Sequence, residues 1–295
     1  MQALEFLDLS SLAGERWDAA FHGTQCDERD EKVKELLVSA ADNVFSFEYD
    51  RENMNVVIGE GRVELHELEG FASTWRGKRI LVDATSFDVA EFAILSFAFK
   101  SVVDLVLDVL YAEPEEYKKS EDAGGHVFEL SESMLGFEEA GIPGISKAIP
   151  VDEPKLFVFF MGYEGDRFKN ALEFSEFTRA ECNLVFGVPA FKFGWEKNSL
   201  LTSARAILEN NLQDSFLYCG ATNIGGIYNL LEGLRKKYQD EVFFLVPLGP
   251  KPMSVGAIKF LCSDKNSSLL YDHPARSSNR SYGISRVHLV RGFFS

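Results

Sequence analysis

The chain has little from which a metal centre or a disulfide framework could be built. Its five histidines (His22, His66, His126, His273, His288) and four cysteines (Cys26, Cys182, Cys219, Cys262) are scattered, with no metal-ligand spacing among them. Cys182, Cys219 and Cys262 lie in or beside apolar strand and helix patterns and read as reduced structural thiols, whereas Cys26 lies in a polar stretch. Long apolar runs are missing too. The greasiest segment, residues 92–110, is broken by Lys100, Asp104 and Asp108, which excludes a transmembrane helix. The first eight residues are acidic and lack the basic region of a secretory signal. These shortages lead to the expectation of a soluble cytoplasmic protein with no membrane partner, no metal and no cofactor.

Positive charge is also scarce, with 30 Lys and Arg against 46 Asp and Glu and a net charge of −16. Such a chain repels duplex nucleic acid and offers no basic stripe with interleaved aromatics. The charge is uneven. Residues 249–295 carry seven cations (Lys251, Lys259, Lys265, Arg276, Arg280, Arg286, Arg291) against Asp264 and Asp272 alone. A basic region within an acidic chain suits a small anionic ligand; its bland alternative is a solvated C-terminal face.

What the chain does have is 295 residues with 46% hydrophobic content, enough for two cores, and alternation of apolar runs with helical patterns. Strands are expected at 17–22, 44–49, 79–84, 105–111, 156–161, 184–188, 215–219, 242–246 and 268–271, with a closing, antiparallel strand at 286–291. Helices are expected at about 28–41, 88–101, 165–178, 198–211, 224–239 and 252–263. Two series recur in the same order. Phe21-His-Gly with an acid–Arg pair opening the next helix matches Phe160-Met-Gly with Asp166-Arg167; strand–turn–helix units at residues 80–86 and 244–251 then each lead to Leu-Tyr-x-x-Pro, at Leu110–Pro114 and Leu270–Pro274. The fold class read from this is α/β, with two Rossmann-like units, mostly parallel sheets and an internal duplication, divided as 1–150 and 151–295. Residues 112–153, too long for an ordinary connection, read as an interdomain linker or a lid.

Ligands of parallel sheets sit beyond the carboxyl ends of the strands. The most informative such end is Val246-Pro-Leu-Gly-Pro-Lys-Pro-Met-Ser254. Here Gly249 allows close backbone approach, Lys251 supplies a fixed positive charge at a helix start, and Pro252 is tolerated in the first turn. Asp83, Thr85 and Ser86 suit ribose or phosphate, or else serve as a helix cap. Thr222 and Asn223, in Gly220-Ala-Thr-Asn-Ile-Gly-Gly226, suit a phosphate-cradling turn, although that turn lacks the P-loop lysine. Gly162, Glu164 and Arg167 lie at another strand end, where Arg167 serves a ligand or pairs with Glu164 or Asp166. Arg280 lies in a Ser-rich basic loop able to close over an anion. Asp272-His273 near Ser277 does not make a triad, because neighbours on a strand face opposite ways. No constellation of catalytic type stands out.

The stretch Pro247-Leu-Gly-Pro-Lys-Pro-Met-Ser254 resembles the Thr-Gly-Gly-Thr-Lys-Pro-Met-Ser signature of CARF domains, with Pro-Leu-Gly-Pro in place of Thr-Gly-Gly-Thr. The two-unit organisation is similar to SAVED proteins, which fuse two CARF-like units. The resemblance implies a Rossmann-like sensor of cyclic oligonucleotides in bacterial antiviral defence, with Gly249, Lys251 and Ser254 carrying over to the ligand site. A sensor of this kind without an effector module acts through a protein partner or by self-association. Two other functions fit the same scaffold: a nucleotide hydrolase or N-glycosidase using Asp83, Glu113 or Glu164, and a ligand-free interaction subunit.

Overall fold

The structure, a computed structural model, describes residues 1–119, 128, 130–137, 141–178 and 181–295. It divides into two compact units, one formed by Met1–Tyr117 with Ser278–Ser295 and the other by Lys118–Ser277. The sequence-based division at 150/151 therefore differs in two ways. The chain crosses between units near residue 117, and its last 18 residues return to the first unit. The cause is strand β15 (Ser281–Arg291), which pairs antiparallel with β7 (Val106–Tyr117) and with β1 (Gln2–Phe6).

The second unit is a five-stranded parallel sheet in the order β11-β10-β9-β12-β13. Its strands are β9 (Lys155–Phe160), β10 (Cys182–Gly187), β11 (Phe216–Cys219), β12 (Val242–Pro247) and β13 (Ser267–Leu269). β12 is buried at every residue, as its unbroken Val-Phe-Phe-Leu-Val run requires of a central parallel strand covered on both faces. Helices α4 (Gly165–Ser175) and α5 (Glu196–Glu209) pack together, as do α6 (Ile224–Lys237) and α7 (Lys251–Ser263). Side chains alternate accordingly. Phe157, Phe159, Phe186 and Phe244 join Phe168 of α4 and Ile207 of α5 in one core, while Phe243 stacks on Phe260 of α7.

The first unit is an eight-stranded mixed sheet, β1-β15-β7-β6-β2-β3-β4-β5. Its parallel centre is β7, β6 (Arg79–Asp83), β2 (Ala19–His22) and β3 (Val44–Asp50), and antiparallel pairs flank it on both sides. One flank holds β1 and β15; the other is the hairpin of β4 (Asn55–Ile58) and β5 (Gly61–Glu64). Helix α1 (Glu28–Ala40) packs its Val33, Leu36 and Leu37 against Ala20, Leu81 and Leu110. Among the elements after β5, α2 (Leu68–Ser73) packs on α3 (Val89–Phe99), and Phe21, Phe45, Phe71, Trp75 and Phe99 form an aromatic cluster. Helix α3 is buried at ten of its eleven residues, so its apolar character belongs to a core helix. No helix among the described residues is long and apolar enough to cross a membrane.

The central connectivity is shared. β2-α1-β3 and β6-α3-β7 of the first unit occupy the same sheet positions as β9-α4-β10 and β12-α7-β13 of the second. In each unit the chain reverses its direction of winding at one point, between β2 and β6 and between β9 and β12, and the same contact marks both. A Cβ on Gly23 would lie 2.5 Å from the Ser86 carbonyl oxygen, and one on Gly162 would overlap the Leu248 carbonyl. Backbone therefore lies directly on backbone at both reversals. Gly162→Ala should cost about 2 kcal/mol or more through forced backbone displacement. Gly233→Ala in α6, where a Cβ meets open space, should instead add about 0.5–1 kcal/mol. Urea unfolding of the two variants separates these outcomes.

Candidate functional site

The reversal between β9 and β12 places the connections after both strands side by side at the carboxyl edge of the second unit. After β9, Met161 and Gly162 lie against Leu248 and Gly249 of the bend after β12, where Leu248 N–H also donates to the Phe160 carbonyl at 3.1 Å. That contact fixes where α7 begins. A third connection arrives from β11: a Cβ on Gly187 would lie 3.1 Å from Ala221 Cβ and 3.5 Å from Met253 Sδ. Gly162, Gly249, Lys251, Ser254 and the Ala221–Thr222 turn are thus gathered around the first turn of α7.

That first turn has no side-chain cap. Its N-cap is Pro250, no acidic residue lies in the turn, and the Met253 and Ser254 N–H groups turn back to the Pro250 carbonyl at 3.0 and 3.4 Å. Lys251 is half-buried. Ser254 is buried, and its Oγ has no hydrogen-bond partner among the described residues. Helical side chains lean toward the N-terminus, so this orphan hydroxyl leans toward the bend. Helix α4, on the other side of the reversal, also lacks a side-chain cap, with Glu164 as its N-cap residue. The helix dipole favours an anion at the start of α7, where no carboxylate stands, whereas Glu164 and Asp166 already stand at the start of α4.

Arg167, in the first turn of α4, is 7% exposed. Its Nε and Nη2 donate to Asp272 at 2.7 and 2.6 Å, and Glu164 lies 3.6 Å from Nη1. The ion pair expected with Glu164 or Asp166 is therefore made principally with Asp272, 105 residues away. Burial works against the guanidinium charge; the bond to Asp272 more than compensates and holds Arg167 above its ordinary pKa. Asp272 and His273 lie in the connection between β13 and β14 (Pro274–Arg276) rather than on a strand. Asn223 caps α6, accepting from Gly226 N–H at 2.8 Å, with Thr222 beside it and half-buried.

The remaining sequence candidates lie in the first unit. Asp83, Thr85 and Ser86 are all buried and bond to their own surroundings. Asp83 accepts from Thr85 N–H at 2.9 Å and from Ser86 Oγ at 2.5 Å; Ser86 Oγ accepts from Gly23 N–H, and Thr85 Oγ1 from Ala112 N–H, each at 2.9 Å. The cap of α3 is Asp88 instead, in a capping box with Glu91. Helix α1 is closed in the same way by Asp27 and Asp30. Arg29, the counterpart of Arg167, donates to Asp27 at 3.0 Å and to the Ala112 carbonyl at 2.7 Å. Arg280 sits in this unit near Asp27, which it helps to keep ionised. The C-terminal cations are divided as well: Arg286 pairs with Glu5, Arg291 with Glu15, and Lys259 lies over the Tyr228 ring.

Each carboxylate considered for catalysis is engaged. Asp83 serves its turn, Glu113 accepts from Ser285 Oγ at 2.8 Å and lies 2.9 Å from His288 Nε2, and Glu164 accepts from Ser131 Oγ at 3.0 Å. No cluster of three His, Cys, Asp or Glu side chains among the described residues is arranged to hold a metal ion. No protein-family model, no curated protein and no solved structure matches the chain. Sequence reasoning missed Trp195 and Phe128, which gather around Tyr163 beside α4; the aromatic-rich Phe191-Lys-Phe-Gly-Trp195 stretch was the available signal.

Two measurements test these assignments. Arg167→Met leaves Asp272 buried and unpaired and should cost about 3–5 kcal/mol, much of it recovered by adding Asp272→Leu, read by urea unfolding. Asp83 is raised above the usual carboxylate range by burial and by the nearby charge of Asp30, against the hydrogen bonds from Ser86 and Thr85. A carboxyl that holds its proton more tightly when folded contributes stability below its unfolded pKa, and that contribution is lost as pH rises through the folded value. Unfolding free energy of the native chain should accordingly carry a component that falls as pH climbs above about 4. Asp83→Asn should flatten that component in a pH series.

Proposed function

We propose that the second unit binds a nucleotide-type anionic ligand across the reversal between β9 and β12, and that the chain acts as a sensor signalling to a protein partner in antiviral defence. One observation carries the proposal. The two helices that start at the reversal of the first unit, α1 and α3, are both closed by full capping boxes, whereas α4 and α7 of the second unit have no side-chain cap. A carboxylate already occupies the anion position at the first pair. At α7 there is instead Lys251 on the first helical residue and, at Ser254, a buried hydroxyl without a partner among the described residues, while the space beside Gly249 is taken by the Met161 carbonyl. Phosphate groups meet such a turn through the helix dipole and one ammonium. The similarity of Lys251-Pro-Met-Ser254 to the CARF signature falls on this turn, and it supplies the sensing and defence parts of the proposal.

Placing a carboxylate in the site tests it. Pro250→Asp should cap α7, hold or raise the unfolding midpoint, and abolish binding of anionic nucleotides; Lys251→Ala should weaken binding at least tenfold with the fold intact. Thermal-shift titration with ATP, NAD and a cyclic trinucleotide provides the readout, since saturation near 100 times Kd adds about 2.7 kcal/mol. Unchanged binding in Pro250→Asp would remove α7 as the site.

A further inference from the structure

Three aromatic rings from separate segments of the second unit meet beside α4. Tyr163, the residue after Gly162, has its ring centroid 4.8 Å from that of Phe128, with the planes 30° apart. Trp195 is the N-cap of α5 and comes from the connection after β10, the strand next to β9. Its ring lies 6.3 Å from each of the other two, edge-on to Tyr163 at 86°. Phe128 and Trp195 are buried, and Tyr163 is half-buried. Two exposed lysines reach over these rings: Lys119 Nζ is 5.8 Å from the Phe128 centroid, and Lys192 Nζ is 5.8 Å from that of Trp195.

We infer that this cluster is a base-stacking subsite, with Tyr163 as the platform and Phe128 and Trp195 fixing its plane. The inference rests on the anion site proposed at α7. Gly162 touches the backbone of Leu248 and Gly249, and Tyr163 is the next residue, so the platform sits on the connection that lies against the α7 bend. Aromatic faces accept any base, and ammonium groups at the rim place positive charge beside a phosphate-bearing ligand in a chain of net charge −16. The ligand class is therefore a base-bearing nucleotide rather than a sugar phosphate or an inorganic polyphosphate.

Calorimetric titration with ATP and with inorganic tripolyphosphate separates the two subsites. The unaltered protein should bind ATP more tightly than tripolyphosphate. Tyr163→Leu should weaken ATP about tenfold or more while leaving tripolyphosphate unchanged, and Tyr163→Phe should retain the ATP affinity. Should Tyr163→Leu fail to fold, tryptophan emission of the unaltered protein decides the matter. ATP should perturb it and tripolyphosphate should not, and the ATP effect should be lost in Trp195→Phe. Equal affinities for the two ligands, an ATP affinity indifferent to Tyr163→Leu, or an ATP effect on emission that survives in Trp195→Phe would overturn the stacking subsite while leaving the anion site standing. Absence of binding of both ligands to the unaltered protein would overturn the anion site and the subsite together.

Discussion

The backbone contact at the winding reversal is the constraint from which the rest of the second unit follows. With no side chain at Gly162, the connection after β9 lies directly on the Leu248–Gly249 bend. That contact sets where α7 starts and which way its first turn faces. A side chain at Gly162 would push the bend outward, and the Leu248 side chain, part of the core with Phe159 and Phe168, would go with it. Core packing and site geometry are thus the same requirement at this point. The first unit meets it with Gly23 against Ser86.

The two reversals share a skeleton and differ in charge. Each has a buried arginine at the start of the first helix, reaching the Leu-Tyr-x-x-Pro segment: Arg29 to Ala112 within β7, and Arg167 to Asp272 in the connection after β13. Ala112 and Asp272 hold the same place in that motif. In the first unit the arginine's carboxylate partner is the helix cap, Asp27; in the second it is Asp272, in the connection after β13. In the second unit the first turn of α7 carries no carboxylate, whereas Glu164 and Asp166 stand at the start of α4. In the proposed reading an anion takes the place at α7 that Asp27 and Asp88 hold at α1 and α3.

Much of the architecture was legible in the chain because the central strands are continuous apolar runs bounded by glycine and proline, as in residues 242–252. The antiparallel closing strand was legible from Val287, Leu289 and Val290 in the same way. The hairpin of β4 and β5 went unread although its two-residue turn, Gly59-Glu60, carries the signal; Gly59 has φ 60°. Strand β1 and the unit boundary were not legible, because β1 and β15 are joined only by pairing across nearly the whole chain. At the start of α7, Gly249 and Lys251 were marked by strand–turn–helix grammar, and Ser254 only by the resemblance to the CARF signature. The Arg167 partner was not, since nothing local marks a contact spanning 105 residues. The meaning of Asp88-x-x-Glu91 as the closing cap of α3 was present in the sequence but masked by the nearer hydroxyls of Thr85 and Ser86.

The central claim is that the first turn of α7 receives a phosphate group. Titrating labelled protein with ATP while following backbone amide resonances tests it at residue level. The account predicts that the largest shifts fall on Gly249, Lys251, Met253 and Ser254, with the Thr85–Ser86 turn of the first unit unmoved. Shifts confined to the first unit, or none at α7 at saturating ATP, would contradict it.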